Sequence, residues 1–146
     1  MNKLTITFLF VFIFSNSMIA QLVVGENASV TVAESASITV AGLEINPNSD
    51  MVISGPNSVD RSLTSVSIDG AESMARHYTV SDNLSTYTGS IVYNYTDEDM
   101  NGISHFAALQ VLDSPDGMWM NYADEDGVDY SVTHSFDNAV EIHSVT

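Results

Sequence analysis

Glu26-Asn27-Ala28-Ser29-Val30-Thr31-Val32-Ala33 runs directly into Glu34-Ser35-Ala36-Ser37-Ile38-Thr39-Val40-Ala41, and the two octads match at six of eight positions. Each carries two apolar residues spaced by two, Val30/Val32 and Ile38/Val40, the period at which side chains return to one face of a strand. Leu22/Val24 extend the series by eight toward the amino terminus. Leu43/Ile45 and Met51/Ile53 are also eight apart, but offset by a slip at Ala41-Gly42. Gly, Asn, Ser, Glu and Pro separate the pairs and favour turns. Val, Ile, Thr and Ser dominate, and no 3.6-residue stripe appears, which argues against a helix. Residues 21–56 therefore read as a short β-repeat, a meander or an abbreviated β-solenoid, that extends a sheet and caps a neighbouring core.

Residues 57–146 lose the repeat and gain aromatics. Alternation predicts strands near 63–69, 74–80, 89–95, 106–113, 118–122, 130–135 and 140–145. Ile91, Tyr93 and Tyr95 share one face, as do Leu109 and Val111. Asp69-Gly70, Asn101-Gly102, Pro115-Asp116-Gly117 and Asp126-Gly127 supply turns between them. This pattern describes an antiparallel β-sandwich, with Trp119 as its expected core anchor. The fold class is all-β: the β-repeat followed by the sandwich.

The amino terminus is different. Met1-Asn2-Lys3 is a short basic segment, Leu4 to Phe14 is apolar residues and threonines, and Ser15 to Ala20 turns polar and small. That order predicts a cleavable signal peptide over 1–20, too short to span a membrane. Cleavage after Ala20 exposes Gln21; after Ser17 is the fallback. The chain carries a formal charge of −16, and Lys3 is its one lysine. Beyond the leader only Arg61 and Arg76 oppose nineteen carboxylates. Such a surface repels phosphate backbones and anionic headgroups, so nucleic acid is excluded as a partner. Without cysteine the fold has no disulfide staples. Lysine–asparagine cross-links and Schiff-base chemistry are excluded as well.

Chemistry-bearing residues are few. Asp97-Glu98-Asp99-Met100-Asn101-Gly102 has the Asp-x-Asp-x-Asn-Gly opening of a calcium loop, since alternate carboxylates around a tight turn supply the oxygens that calcium needs. The twelfth position is Ala108, not an acid, so an EF-hand fails. A looser calcium site and a solvated acidic turn are the two readings, the second the plainer. Asp124-Glu125-Asp126-Gly127-Val128-Asp129 is a second acidic cluster that repels itself unless solvated or bridged by a cation. If the fold brings it beside the first, Asp97, Asp99, Asn101, Asp124 and Asp126 are the candidate calcium ligands, and calcium is the one cofactor the residues suggest. His77, His105, His134 and His143 form no short-spaced zinc pair. No Gly-x-Ser-x-Gly elbow occurs. The acids lie in turns without apolar surroundings, so no catalytic residue is assigned and a non-enzymatic protein is expected. Trp119 and Tyr122, with the other tyrosines, offer two readings: core packing, the plainer, or a stacking platform for a carbohydrate.

Ile19-Ala20-Gln21, the octads, Gly42-Leu43-Glu44-Ile45-Asn46-Pro47, and Tyr93-Asn94-Tyr95 followed by Asp97, Asp99, Asn101 and Gly102 resemble the amino-terminal part of large secreted surface proteins of Bacteroidota. Those proteins often end in a type IX secretion sorting domain, which nothing in this chain resembles. The resemblance implies a secreted or cell-surface location and other modules of a larger surface protein as partners. The expectation is a structural or adhesin-like extracellular module stabilised by calcium, with a carbohydrate-binding module as the alternative and an extracellular glycan as its partner. No membrane span is expected once the signal is removed.

Overall fold

The octads build a hairpin whose turn is the slip at Ala41-Gly42. The computed structural model describes residues 21–105 and 107–146; the signal-peptide assignment to 1–20 lies outside the described residues. The outgoing arm is β1 (Gln21–Val24), β2 (Ser29–Val32) and β3 (Ile38–Val40), and the return arm is β4 (Leu43–Pro47), β5 (Met51–Ser54) and β6 (Asn57–Ser62). The arms nest antiparallel: β3 pairs with β4, β2 with β5 and β1 with β6. Apolar pairs meet across the register, Val40 and Ile38 opposite Leu43 and Ile45, then Val32 and Val30 opposite Met51 and Ile53. Reversal at the tip carries the eight-residue spacing into the second arm with its phase shifted. The inner valines Val24, Val32 and Val40 are buried. Asn27 and Ser35, eight apart, both adopt positive φ (60° and 64°), so the repeat is written in the backbone as well as the side chains.

Gly42 makes the tip possible. Its φ is +104°, and a Cβ there would stand 3.0 Å from Arg76 Nη1 and 3.1 Å from both Asn94 O and Tyr78 Oη. Only a residue without a side chain fits that backbone and that approach.

After β7 (Ser67–Ile68) and β8 (Ala71–Glu72), a small hairpin turning at Asp69-Gly70, comes the 18-residue β9 (His77–Asn94). A 3₁₀ turn at Asp97–Asp99 precedes β10 (Leu109–Leu112), β11 (Trp119–Tyr122) and the 15-residue β12 (Ser131–Val145). β9 and β12 pair along their lengths with register shifts between Phe136 and Ser144. Bulges of this kind bend strands and increase their twist. On one side of the bend β9 pairs with β6 through His77 to Val80, while the end of β12 pairs with β10, and β10 with β11. On the other, β4 lies along Gly89 to Tyr93 and the start of β12 lies opposite. The sheet folds back on itself: the Tyr78 and Tyr93 rings, fifteen residues apart on one strand, meet edge to face at 5.8 Å.

The expected all-β, antiparallel character holds. Four of the expected strands, 74–80, 89–95, 130–135 and 140–145, join into two long bent ones, and the repeat shares their sheet through β4 and β6. The expected strand over 106–113 includes Phe106, which lies outside the described residues. Ile91, Tyr93, Tyr95, Leu109 and Val111 are buried in the core as their alternation implied. Trp119 is not the core anchor. It lies half-buried on β11, which among the described residues is an edge strand paired only with β10, and Tyr78 and Tyr93 hold the centre. Among the described residues no helix is long and apolar enough to cross a membrane.

Candidate functional site

The acidic loops come first, because they were the candidate metal centre. Asp99 turns inward. Its Oδ2 lies 2.7 Å from Arg76 Nη2, with both side chains largely buried (11% and 7% exposed), and accepts the Thr96 amide and hydroxyl at 2.8 and 2.7 Å. Arg76 Nη1 also donates to Asn94 O at 2.7 Å. Asn101 donates its amide to Ser73 O at 2.9 Å, tying the loop to the chain before β9.

The second acidic cluster folds into a network of its own. Asp124 Oδ1 accepts the Thr133 and Asp126 amides at 3.0 and 3.2 Å, and its Oδ2 accepts the Gly127 amide at 3.1 Å. Asp126 accepts the Thr133 hydroxyl at 2.6 Å, the Val128 amide and the Ser131 hydroxyl. Local loss of hydration pushes the exposed Asp126 carboxyl up, but these hydrogen bonds outweigh it and hold the group below its ordinary value. The two clusters do lie at one end of the molecule: the Tyr130 hydroxyl donates to Asp97 Oδ1 at 2.9 Å. That bond raises the Tyr130 hydroxyl, since the proton is shared with a carboxylate. Yet among the described residues no group of three or more His, Asp or Glu converges to hold a metal ion. Asp99, Asn101, Asp124 and Asp126 each bond within their own part of the fold, and Asp97 accepts from Tyr130.

The histidines are dispersed. His77 Nδ1 sits 2.8 Å from Thr64 O, His105 packs on Tyr95 and Tyr130, and His134 lies 3.3 Å from Glu125 Oε1.

Trp119 is the residue that opens on a cavity. A space of about 330 Å³ is walled by the β7–β8 hairpin (Ile68, Asp69, Ala71, Glu72), by Ile103, Ala107 and Ala108, and by Gln110, Trp119 and Asn121 of β10 and β11. Its floor reaches Met74, Tyr93, Val132 and Thr146. A volume of this size lies at the small end of those that take small molecules, about 300–1,000 Å³. The lining is mostly apolar, with a few polar groups at the rim. Gln110 and Asn121 are register partners, so their amides stand side by side next to the indole. Neither side-chain amide is bonded to another described residue.

Behind the wall the structure is tightly held. Ser73 Oγ accepts the Val66 amide at 3.0 Å and donates to Met74 O, and the Thr146 hydroxyl reaches Ser73 Oγ and Arg76 O. The Tyr93 hydroxyl donates to the same Arg76 carbonyl. Ser73, the serine of the cavity, is therefore occupied by packing partners. Matched against models of protein families, curated proteins and solved structures, the chain has no counterpart in any of the three.

Tyr122 does not join Trp119. Three residues apart on a strand, the two side chains point to opposite faces. Tyr122 packs instead with His134 (4.7 Å) and Phe136 (4.9 Å). Tyr78, Tyr87, Tyr93 and Tyr95 are core residues. Of the pair Trp119 and Tyr122, Trp119 alone faces the cavity, where Gln110, Asn121, Asp69 and Glu72 accompany it; Asp69 reads in the sequence as a turn residue, not as a binding residue. Alternation within β11 pairs Trp119 with Asn121, but the β7–β8 hairpin reaches the cavity only through the tertiary fold.

Proposed function

We propose that this chain is a non-enzymatic binding module of an exported surface protein, adhesin-like in use, and that the Trp119 cavity receives a saccharide of an extracellular glycan. The observation that carries the reading is a half-buried indole at the cavity beside two amides, Gln110 and Asn121, that bond to no other described side chain. An indole covers the apolar face of a pyranose, and amides both donate to and accept from its hydroxyls. Export rests on the signal-peptide reading of 1–20, and the surface context on the resemblance given above.

Affinity electrophoresis against a panel of polysaccharides tests the site. A retarding polysaccharide is expected, with retardation lost in Trp119→Ala and weakened in Asn121→Ala while the thermal melt keeps its cooperativity. Retardation that survives Trp119→Ala would place binding elsewhere and end the reading.

A further inference from the structure

We infer that the saccharide unit held at Trp119 carries a free ammonium group, as an amino sugar does, and that uronate- or sulfate-bearing chains are turned away. This rests on the reading of the cavity as a saccharide site. The ionisable side chains of the lining, apart from the deeply set Tyr93 hydroxyl, are two carboxylates, Asp69 and Glu72, both on the β7–β8 hairpin and both exposed. Glu72 Oε2 accepts the Ser65 hydroxyl at 2.5 Å, which orients the carboxylate and leaves Oε1 without a bond to any described residue. Among the described residues no cation lines the cavity to answer them. Arg61 and Arg76 do not line the cavity, Arg76 is engaged by Asp99 and Asn94, and none of the four histidines reaches it.

An anionic ligand would give up hydration to enter a site of its own charge sign, on a chain of net charge −16, with nothing to pair with. An ammonium meets the opposite situation. It makes charge-assisted hydrogen bonds to the hairpin carboxylates and is drawn to the indole face. The apolar floor at Met74 and Val132 takes the carbon face of the ring.

Isothermal titration of the secreted full chain with three oligomers of equal length tests the inference: glucosamine, N-acetylglucosamine and galacturonate. The glucosamine oligomer should bind about tenfold more tightly than its acetylated counterpart, the advantage of a charged over a neutral hydrogen bond. The galacturonate oligomer should not bind. Glu72→Gln, and separately Asp69→Asn, should narrow the ratio between the two glucosamine affinities, and added salt should do the same. Equal affinity for the two glucosamine forms, or a preference untouched by both substitutions, overturns the ammonium inference and leaves the saccharide site standing. If none of the three binds and a lysine-bearing peptide does, the saccharide reading fails with it.

Discussion

At the scale of single residues, a small polar knot holds the octad hairpin to the rest of the molecule. The Tyr78 hydroxyl donates to Ala41 O at 2.8 Å, Asn94 donates its side-chain and main-chain N–H to Gly42 O, and Arg76 spans Asn94 and Asp99. Gly42 sits inside this knot. Gly42→Ala should cost about 2 kcal/mol, because alanine resists positive φ and its methyl crowds three polar atoms; urea denaturation measures it. Asp99 carries the opposite lesson. It looked like a metal ligand in sequence, yet its partner is an arginine twenty-three residues earlier in the chain. Asp99→Ala should cost about 3 kcal/mol by leaving a buried guanidinium without its counter-charge. A chelator added to the unmodified chain should leave its melting temperature where it was. A chelator-induced drop restored by calcium would show that the acidic loops hold a cation after all.

At the scale of elements, the hairpin arms are not equally supported. β4 and β6 each pair with β9, and β1 and β3 are joined to that sheet through them, whereas among the described residues β2 and β5 pair only with each other. Strands without further sheet neighbours open at lower free energy. Hydrogen exchange should therefore proceed faster at the β2–β5 amides than at those joining β4 to β9, and equal protection would contradict this order. The repeat was legible because its spacing is local: valine pairs at period two, turns between them, and a phase slip at Ala41-Gly42. The long strands were not. Residues 81–88 and 137–139 hold few apolar residues and read as connections, but they are where β9 and β12 bulge and bend, and Leu84 and Tyr87 within the bend are buried in the core. Gly89 belongs to this bend. At φ +131° a Cβ would strike Asn46 O and Pro47 Cα, so glycine lets β4 lie against β9 there.

For the whole molecule, burial governs the response to alkali. The Tyr78, Tyr87 and Tyr93 hydroxyls are pushed above the ordinary tyrosine value of 10.0, chiefly by removal from water, with Arg76 pulling Tyr78 partly back. The folded chain keeps protons that the unfolded chain releases. The stability these groups contribute is complete below pH 10 and is lost as the pH climbs past it. The urea midpoint should fall above pH 10, and Tyr87→Phe should make that fall shallower. A midpoint indifferent to alkali would mean that these hydroxyls are not sealed from solvent. The cavity at Trp119 belongs to this scale too, since its walls come from β7–β8, residues 103–108 and β10–β11.

The order of residues alone determined the strand class, the octad pairs, the turns and the acidic, cysteine-free character, because each depends on neighbours within a few positions. The tertiary structure alone decided that the octads nest as a hairpin, that Asp99 belongs to Arg76, that Trp119 and Tyr122 face apart in separate surroundings, and that a carboxylate-bearing hairpin borders the indole. Those outcomes depend on a bend in two long strands, and the bend draws together residues whose separation along the chain carries no periodic signal.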